Sequence, residues 1–264
     1  MARFFAPAFS NLFPDDCRVC GNALSEISRV PICSACLNGV EPLGADFFCL
    51  TCRTPFLNAF VLDSDGRCPL CRLGVNRFDE AYCFGAYEGT LKTLIHLFKY
   101  AGIRPLSGPL GRLLAAALPL EKKWDAIVPM PLHWWKRWQR GFNQSELLAR
   151  ELARRTQLPV VRALRRRKNT AVQAGLSHAA RRRNVAGAFK PSGAGSIEGR
   201  KLLLVDDVMT TGATANAAAA ALKRAGAANV TVLTLARVDR RLAVSVPDHL
   251  ILEQSVGSLV DAEI

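Results

Sequence analysis

Eight of the nine cysteines in this chain fall into four pairs of CxxC spacing: Cys17/Cys20, Cys33/Cys36, Cys49/Cys52 and Cys68/Cys71. The intervals between successive pairs are 12, 12 and 15 residues. Two cysteines separated by two residues sit on one tight knuckle, so both thiolates can face a single ion. Two knuckles complete a tetrahedral sulfur site. One such pair is weak information, whereas four within 55 residues predict two zinc sites. The simplest pairing is sequential, with Cys17, Cys20, Cys33 and Cys36 on one Zn²⁺ and Cys49, Cys52, Cys68 and Cys71 on the other; spacing alone also permits a crossed arrangement. A Cys₄ site leaves no coordination position open, so both zincs are expected to be structural. A redox role would need a metal-free CxxC at a helix N-terminus with a lowered pKa. Cys83 is left over and reads as a buried strand residue.

The choice of zinc over disulfides rests on compartment. Residues 1–13 lack a basic n-region followed by a continuous apolar run, and no stretch of about 18 uncharged apolar residues occurs. A cytoplasmic chain with reduced thiols and no membrane span is therefore expected.

Charge is distributed unevenly. Residues 1–80 hold seven Lys/Arg against nine Asp/Glu, while residues 136–183 hold fourteen Lys/Arg against two acids. Eight thiolates around two Zn²⁺ would lower the formal net charge from +13 to about +9, all within the N-terminal part. A basic segment inside an otherwise balanced chain points to a polyanionic ligand: phosphates, nucleic acid or both.

Residues 1–80 read as a zinc module too irregular to build a core without metal. From Ala81 the texture changes to apolar strands alternating with helices. Strands are predicted at 81–87, 125–130, 201–208 and 230–238, and helices at 91–100, 143–157 and 211–225. That alternation implies an α/β domain over 81–238, a parallel sheet flanked by helices. Residues 164–186 read as a basic loop with a short helix, and residues 239–264 as an unassigned tail.

The sharpest feature lies at Leu202-Leu203-Leu204-Val205-Asp206-Asp207-Val208-Met209-Thr210-Thr211-Gly212-Ala213-Thr214. A buried strand ends in two acids and turns through Thr and Gly into a helix. Backbone N–H groups and hydroxyls at a helix N-terminus suit a phosphate, and Gly212 allows close backbone approach. No P-loop lysine is present, so the motif is not that of an NTPase. Carboxylates cannot hold phosphate directly; they suit sugar hydroxyls or Mg²⁺, which puts a ribose beside the phosphate. The bland reading is a solvated Asp-Asp pair at a surface strand end.

This arrangement resembles the phosphoribosyl pyrophosphate motif of type I phosphoribosyltransferases. By that resemblance Asp206 and Asp207 hold the ribose 2′- and 3′-hydroxyls. Met209, Thr210, Thr211, Gly212, Ala213 and Thr214 form the cradle of the 5′-phosphate, and Mg²⁺ accompanies the pyrophosphate. Residues 127–144, IVPMPLHWWKRWQRGFNQ, interleave Lys136, Arg137 and Arg140 with Trp134, Trp135, Trp138 and Phe142. Basic clusters follow at Arg165, Arg166, Arg167 and Lys168 and at Arg181, Arg182 and Arg183, with Thr170, Gln173 and Asn184 beside them. The proline-flanked strand, R-x₂-RGFNQ, T-x₂-Q, RRRN and the motif at 202–214, behind a double zinc ribbon, are similar to the ComF family. The likeness runs from about Phe13 to Arg237; the tail departs from it.

Family resemblance implies a phosphoribosyltransferase fold, phosphoribosyl transfer to an unspecified acceptor, and a part in natural transformation or use of external DNA. It also implies single-stranded DNA, and DNA-uptake or recombination proteins, as partners. Arg137 and Arg140 would grip pyrophosphate. Lys136, Trp138, Arg165–Arg167 and Arg181–Arg183 would meet nucleic acid, cations on phosphates and aromatic rings on bases. For the tryptophans, packing under the loop is an equal reading, since adjacent Trp134 and Trp135 are not expected both to face outward. For 165–168 a solvated charge run is the plain alternative. His96, His133 and His178 have no metal-ligand spacing and receive no catalytic role. A non-catalytic single-stranded-DNA-binding protein that keeps the sugar-phosphate pocket for sensing or DNA-end recognition is the second functional reading.

Overall fold

A computed structural model describes residues 16–24, 28–74, 76–167, 187–193 and 197–238. The anticipated contacts of Arg181–Arg183, together with Lys168, Thr170, Gln173, His178 and the tail from 239, lie outside the described residues.

The elements run in chain order as α1 (Ser34–Asn38), β1 (Phe47–Phe48), β2 (Pro55–Phe56), α2 (Pro69–Arg72), β3 (Glu80–Ala86), α3 (Gly89–Tyr100), α4 (Ser107–Ala116) and β4 (Ala126–Pro129). They continue as α5 (Trp134–Arg140), α6 (Gln144–Thr156), β5 (Leu164–Arg166), β6 (Phe189–Pro191), β7 (Lys201–Met209), α7 (Ala213–Arg224) and β8 (Asn229–Arg237).

Four strands form a parallel sheet in the order β3-β8-β7-β4. Its middle strands carry continuous apolar runs because both of their faces are covered. Leu202 to Val205 on β7 and Val232, Leu233, Leu235 and Ala236 on β8 have no exposed surface. Each such Leu or Val contributes about 1.5–3 kcal/mol of burial. One face of the sheet packs against α7, whose Ala215, Ala218, Ala219 and Ala221 let it lie close. The other face packs against α3, α4 and α6 through Leu94, Phe98, Leu110, Leu148 and Leu152. Gly111 is required where α4 meets α6: a Cβ there would stand 2.5 Å from Glu151 Cβ.

The cysteine-rich segment does not stand off from this sheet. Cys17, Ile32 and Val40 join the α3/α4/α6 face, whereas Cys49, Cys52, Cys68 and Cys71 join the α7 face. The chain passes along β3 between the two, with Leu43 N–H donating to Phe84 O and Ala81 N–H to Thr51 O. That edge is thereby covered.

Within 164–186 the expected loop opens with a strand: β5 pairs antiparallel with β6, Arg165 opposite Lys190. Cys83 lies on β3 but is half-buried rather than buried. Among the described residues no helix is long and apolar enough to cross a membrane.

Candidate functional site

Strand β7 carries the two acids to the carboxyl edge of the sheet, and its alternation separates them. Leu202 and Leu204 face α7, and Leu203 and Val205 face the opposite layer. Asp206 follows the first set and Asp207 the second. Asp206 Oδ1 accepts from Ser145 Oγ at 2.9 Å and from the Asp207 N–H at 2.9 Å. Burial, then the neighbouring Asp207 carboxylate, pushes the Asp206 pKa up from 3.8 to about 7. Asp207 Oδ1 meets Lys99 Nζ of α3 at 2.8 Å, both side chains largely buried. Its Oδ2 is buried with no hydrogen-bond partner. Burial alone would lower the Lys99 pKa; the pull of Asp207 outweighs it and the pKa rises. Lys99 and Ser145 escaped sequence reasoning, because neither stands in a motif with the acids.

Beyond Met209 the chain turns into α7. Gly212 adopts φ 76°, the left-handed conformation that glycine takes without strain, and opens the helix. The Ala213 N–H donates to Thr211 Oγ1 at 3.3 Å. A cavity of about 50 Å³ lies here, bounded by Asp206, residues 208–210 and 212–215, and Thr234 of β8. Thr234 Oγ1 is buried without a partner. The cavity therefore joins a helix N-terminus, suited to an anion, to a carboxylate suited to hydroxyl donors.

A group of cations from other elements stands near this edge. Lys136 on α5 has its pKa lowered by burial first, and then by Arg166, Arg140 and Lys99. Arg166 of β5 is pushed down by burial and drawn back by Asp206. Arg140 lies over the Tyr100 ring, 4.9 Å from its centroid. Lys99 and Arg166 thus act on the acids directly, while Lys136 and Arg140 add positive charge beside those two cations. Arg137 takes the other side of α5. With Trp134, Arg162, Arg165 and Asn143 it lines a separate cavity of about 470 Å³ that Arg166 also borders. Arg165 and Arg167 are exposed.

The tryptophans differ from expectation. Trp134, Trp135 and Trp138 are 69 %, 42 % and 78 % exposed, so the adjacent pair does face outward. Helix α5 has seven residues, none buried, and among the described residues no layer lies above it. Phe142, by contrast, is buried against Phe98. His133 caps α5, accepting from the Trp135 N–H at Nδ1, and His96 hydrogen-bonds Tyr87 at 2.8 Å.

Both cysteine tetrads assemble in the sequential pairing, each with its four sulfurs within 4.8 Å of one another. Cys20 and Cys33 sulfurs are 3.8 Å apart, as are those of Cys52 and Cys68. Zn–S bonds of about 2.3 Å at tetrahedral angles place sulfurs about 3.8 Å apart, whereas a disulfide needs about 2.05 Å. Backbone N–H groups of Cys33 and Cys68 donate to Cys17 and Cys49 sulfurs at 3.3 Å. These donors favour thiolates, and the tetrads fit Zn²⁺. The second is wholly buried, while Cys20 of the first is exposed.

Residues 139–253 match the phosphoribosyl transferase domain family. The chain is 34 % identical over 178 residues to competence protein F of Haemophilus influenzae, covering 64 % of this chain and 78 % of that protein. It is 31 % identical over 231 residues to DNA utilization protein YhgH of Escherichia coli O157:H7, covering 85 % and 97 %. Competence protein ComFC of Bacillus subtilis is 30 % identical over 156 residues, covering 57 % and 61 %.

Proposed function

Since the chain belongs to the ComF family, we propose that its β7–α7 turn binds phosphoribosyl pyrophosphate with Mg²⁺ and that the protein serves the use of external DNA. The observation that carries the first part is the small cavity shared by the α7 N-terminus and Asp206. The 5′-phosphate takes the N–H groups and hydroxyls of 210–214, while the ribose 2′- and 3′-hydroxyls donate to Asp206 and Asp207. Lys136, Arg140 and Arg166 supply the positive charge that a pyrophosphate needs on the far side of the sugar.

In pentosyl transfer the bond from C1 to pyrophosphate breaks as an acceptor attacks, and positive charge develops on the ribose. Two carboxylates at the hydroxyls oppose that charge, and the cations stabilise the leaving group. Mg²⁺, when bound, would supply positive charge against the pyrophosphate; Asp206 and Asp207 are the acids that would hold it, and the Oδ2 of Asp207 is buried without a partner.

Asp206, with its pKa near 7, must ionise fully to accept two hydroxyl donors or meet Mg²⁺. Ligand binding therefore releases a proton, and affinity falls as pH drops below about 7, by up to tenfold per pH unit. Calorimetric titration of phosphoribosyl pyrophosphate with Mg²⁺ between pH 5.5 and 8.5 reads this directly. The ligand's own phosphates titrate near pH 6, so the Asp206→Asn variant is the control: weaker binding with a flatter pH profile is expected. Undiminished binding in that variant would falsify the site.

Exposed Trp134, Trp135 and Trp138 favour the second reading, a single-stranded-DNA surface on α5 that works with or without turnover. Base stacking is worth about 1–3 kcal/mol per aromatic side chain. Trp138→Ala should weaken oligothymidylate binding by that amount. Arg165→Ala should shallow the dependence on salt by about 0.7 in the log–log slope. Affinity that ignores salt in the parent protein excludes this reading.

A further inference from the structure

Arg237 closes β8 and is only 5 % exposed. A guanidinium buried this deeply needs compensating negative charge, yet among the described residues it forms no ion pair with a carboxylate. Its Nη1 donates to Cys52 O at 2.7 Å and its Nη2 to Thr54 Oγ1 at 2.5 Å. Thr54 Oγ1 in turn lies 2.9 Å from Cys52 Sγ. Its Nε is buried without a partner. The positive charge therefore points at the second tetrad. Zn²⁺ held by four thiolates carries two negative charges, and Cys49, Cys52, Cys68 and Cys71 are at most 7 % exposed. An uncompensated dianion there is costly. The arginine and the metal centre each lack what the other supplies.

The backbone of Arg237 leads to the phosphate loop. Arg237 pairs with Met209 across the sheet, and the Val238 N–H donates to Met209 O at 3.2 Å. Thr210 to Thr214 begin one residue later. Met209, Thr211 and Gly212 also share the wall of a cavity of about 330 Å³ with Cys52, Cys68 and Arg237. A Cβ on Gly212 would stand 3.9 Å from Phe78, which packs beside the tetrad. The first tetrad touches none of this, since it packs on the other face.

We propose that Arg237 is a positioning residue: the fixed counter-charge of the second zinc centre, which through Met209 couples metal occupancy to the shape of the phosphate loop. The coupling rests on the reading of 210–214 as a phosphate site; the counter-charge does not.

The test uses the zinc-loaded full chain and its Arg237→Gln and Arg237→Lys variants. Zinc release to a chromophoric chelator should speed up for the slower of the two zincs by roughly 10–100-fold in Arg237→Gln, the range that outer partners of metal ligands command. Arg237→Lys should keep part of the protection. In Co²⁺-substituted protein the thiolate-to-metal charge-transfer band should move to lower energy in Arg237→Gln, because a nearby cation holds the sulfur electrons more tightly. A merely structural arginine would not move that band. Ribose 5-phosphate, the probe for the loop, should bind more weakly in step with zinc loss.

Unchanged zinc release and an unchanged cobalt spectrum overturn the counter-charge. A shifted spectrum with unchanged ribose 5-phosphate affinity overturns the coupling and leaves the counter-charge standing. No ribose 5-phosphate binding in the parent removes the phosphate reading and the coupling together, while the metal readouts still decide the rest. Should Arg237→Gln fail to fold, Thr54→Val breaks the hydroxyl link between the guanidinium and Cys52 Sγ. A smaller shift of the same sign is then expected, and no shift overturns the proposal.

Discussion

Replacing Asp207 with asparagine should lower the melting temperature of the ligand-free protein by about 10 °C, whereas the same change at Asp206 should raise it at pH 8. Asp207 is half of a buried ion pair with Lys99 at 2.8 Å. Removing one partner of such a pair leaves an uncompensated charge and costs about 3–5 kcal/mol, and each kcal/mol is worth about 2–4 °C in a chain of this size. Asp206 has the opposite balance. Its pKa in the folded chain is raised from 3.8 to about 7, chiefly by burial and then by Asp207. A raised carboxyl pKa means stability that is whole below about pH 4 and lost as pH rises through 7. At pH 8 the ionised Asp206 opposes folding. An amide oxygen still accepts the bonds from Ser145 Oγ and the Asp207 N–H without bearing the charge. The advantage of Asp206→Asn should shrink to nothing near pH 4. Adding Lys99→Met to Asp207→Asn should recover most of the loss, since the stranded ammonium is gone. Thermal unfolding at pH 4, 6 and 8 measures all of this, and equal melting temperatures for the two single variants at pH 8 would sink the argument.

Cys52→Ser should cost the protein its cooperative fold, while Cys20→Ser should leave the sheet intact. Structural zinc in small thiolate sites carries apparent binding free energies of about 10–16 kcal/mol, against a total stability of about 5–15 kcal/mol for a domain. The second tetrad shares a core with Phe78, Met209, β7, β8 and α7. Its loss would strand the buried Arg237 and open the face on which the turn between β7 and α7 rests. The first tetrad contributes Cys17 to the opposite face and keeps Cys20 exposed. Its loss should be felt as local unfolding of the 16–40 segment, at a fraction of the global free energy. Both variants should fall from two bound zincs per chain toward one. Near-UV circular dichroism and melting then separate them. A Cys52→Ser protein with native near-UV signal and a melting temperature close to that of Cys20→Ser would show that the second site is not built into the domain.

What could be read from the residues alone was whatever chemistry is contiguous along the chain. The CxxC knuckles, the Asp206-Asp207 pair and the Thr/Gly turn are each held within a few residues by local backbone geometry, so their presence is legible in the spacing. The strands at 201–208 and 230–238 were readable because a strand covered on both faces is continuously apolar. The ComF motifs lie in the same short runs. Spacing allowed both a sequential and a crossed pairing of the knuckles, and the folded chain chose the sequential one.

Tertiary structure decided how each local charge is balanced and which face each element occupies. Lys99 sits on α3, far from β7 along the chain, and becomes the partner of Asp207 only because α3 packs on the face toward which that residue points. Ser145 reaches Asp206 because Asn143 starts α6 beneath the strand ends. Trp134 and Trp135 are exposed together on a helix that no described residue covers, and no periodicity in seven residues reveals that. Arg137 and Lys136 are adjacent, yet the helix turns one toward the arginine-lined cavity and the other toward Lys99 and Arg140. Arg237 falls inside the strand expected at 230–238, and nothing in its sequence neighbourhood marks it out. Sheet register set it beside Cys52, where a buried guanidinium with no carboxylate partner among the described residues finds its counter-charge. Spacing along the chain determines local coordination and turns; the burial that makes a charge expensive, and the distant group that neutralises it, exist only once the layers have packed.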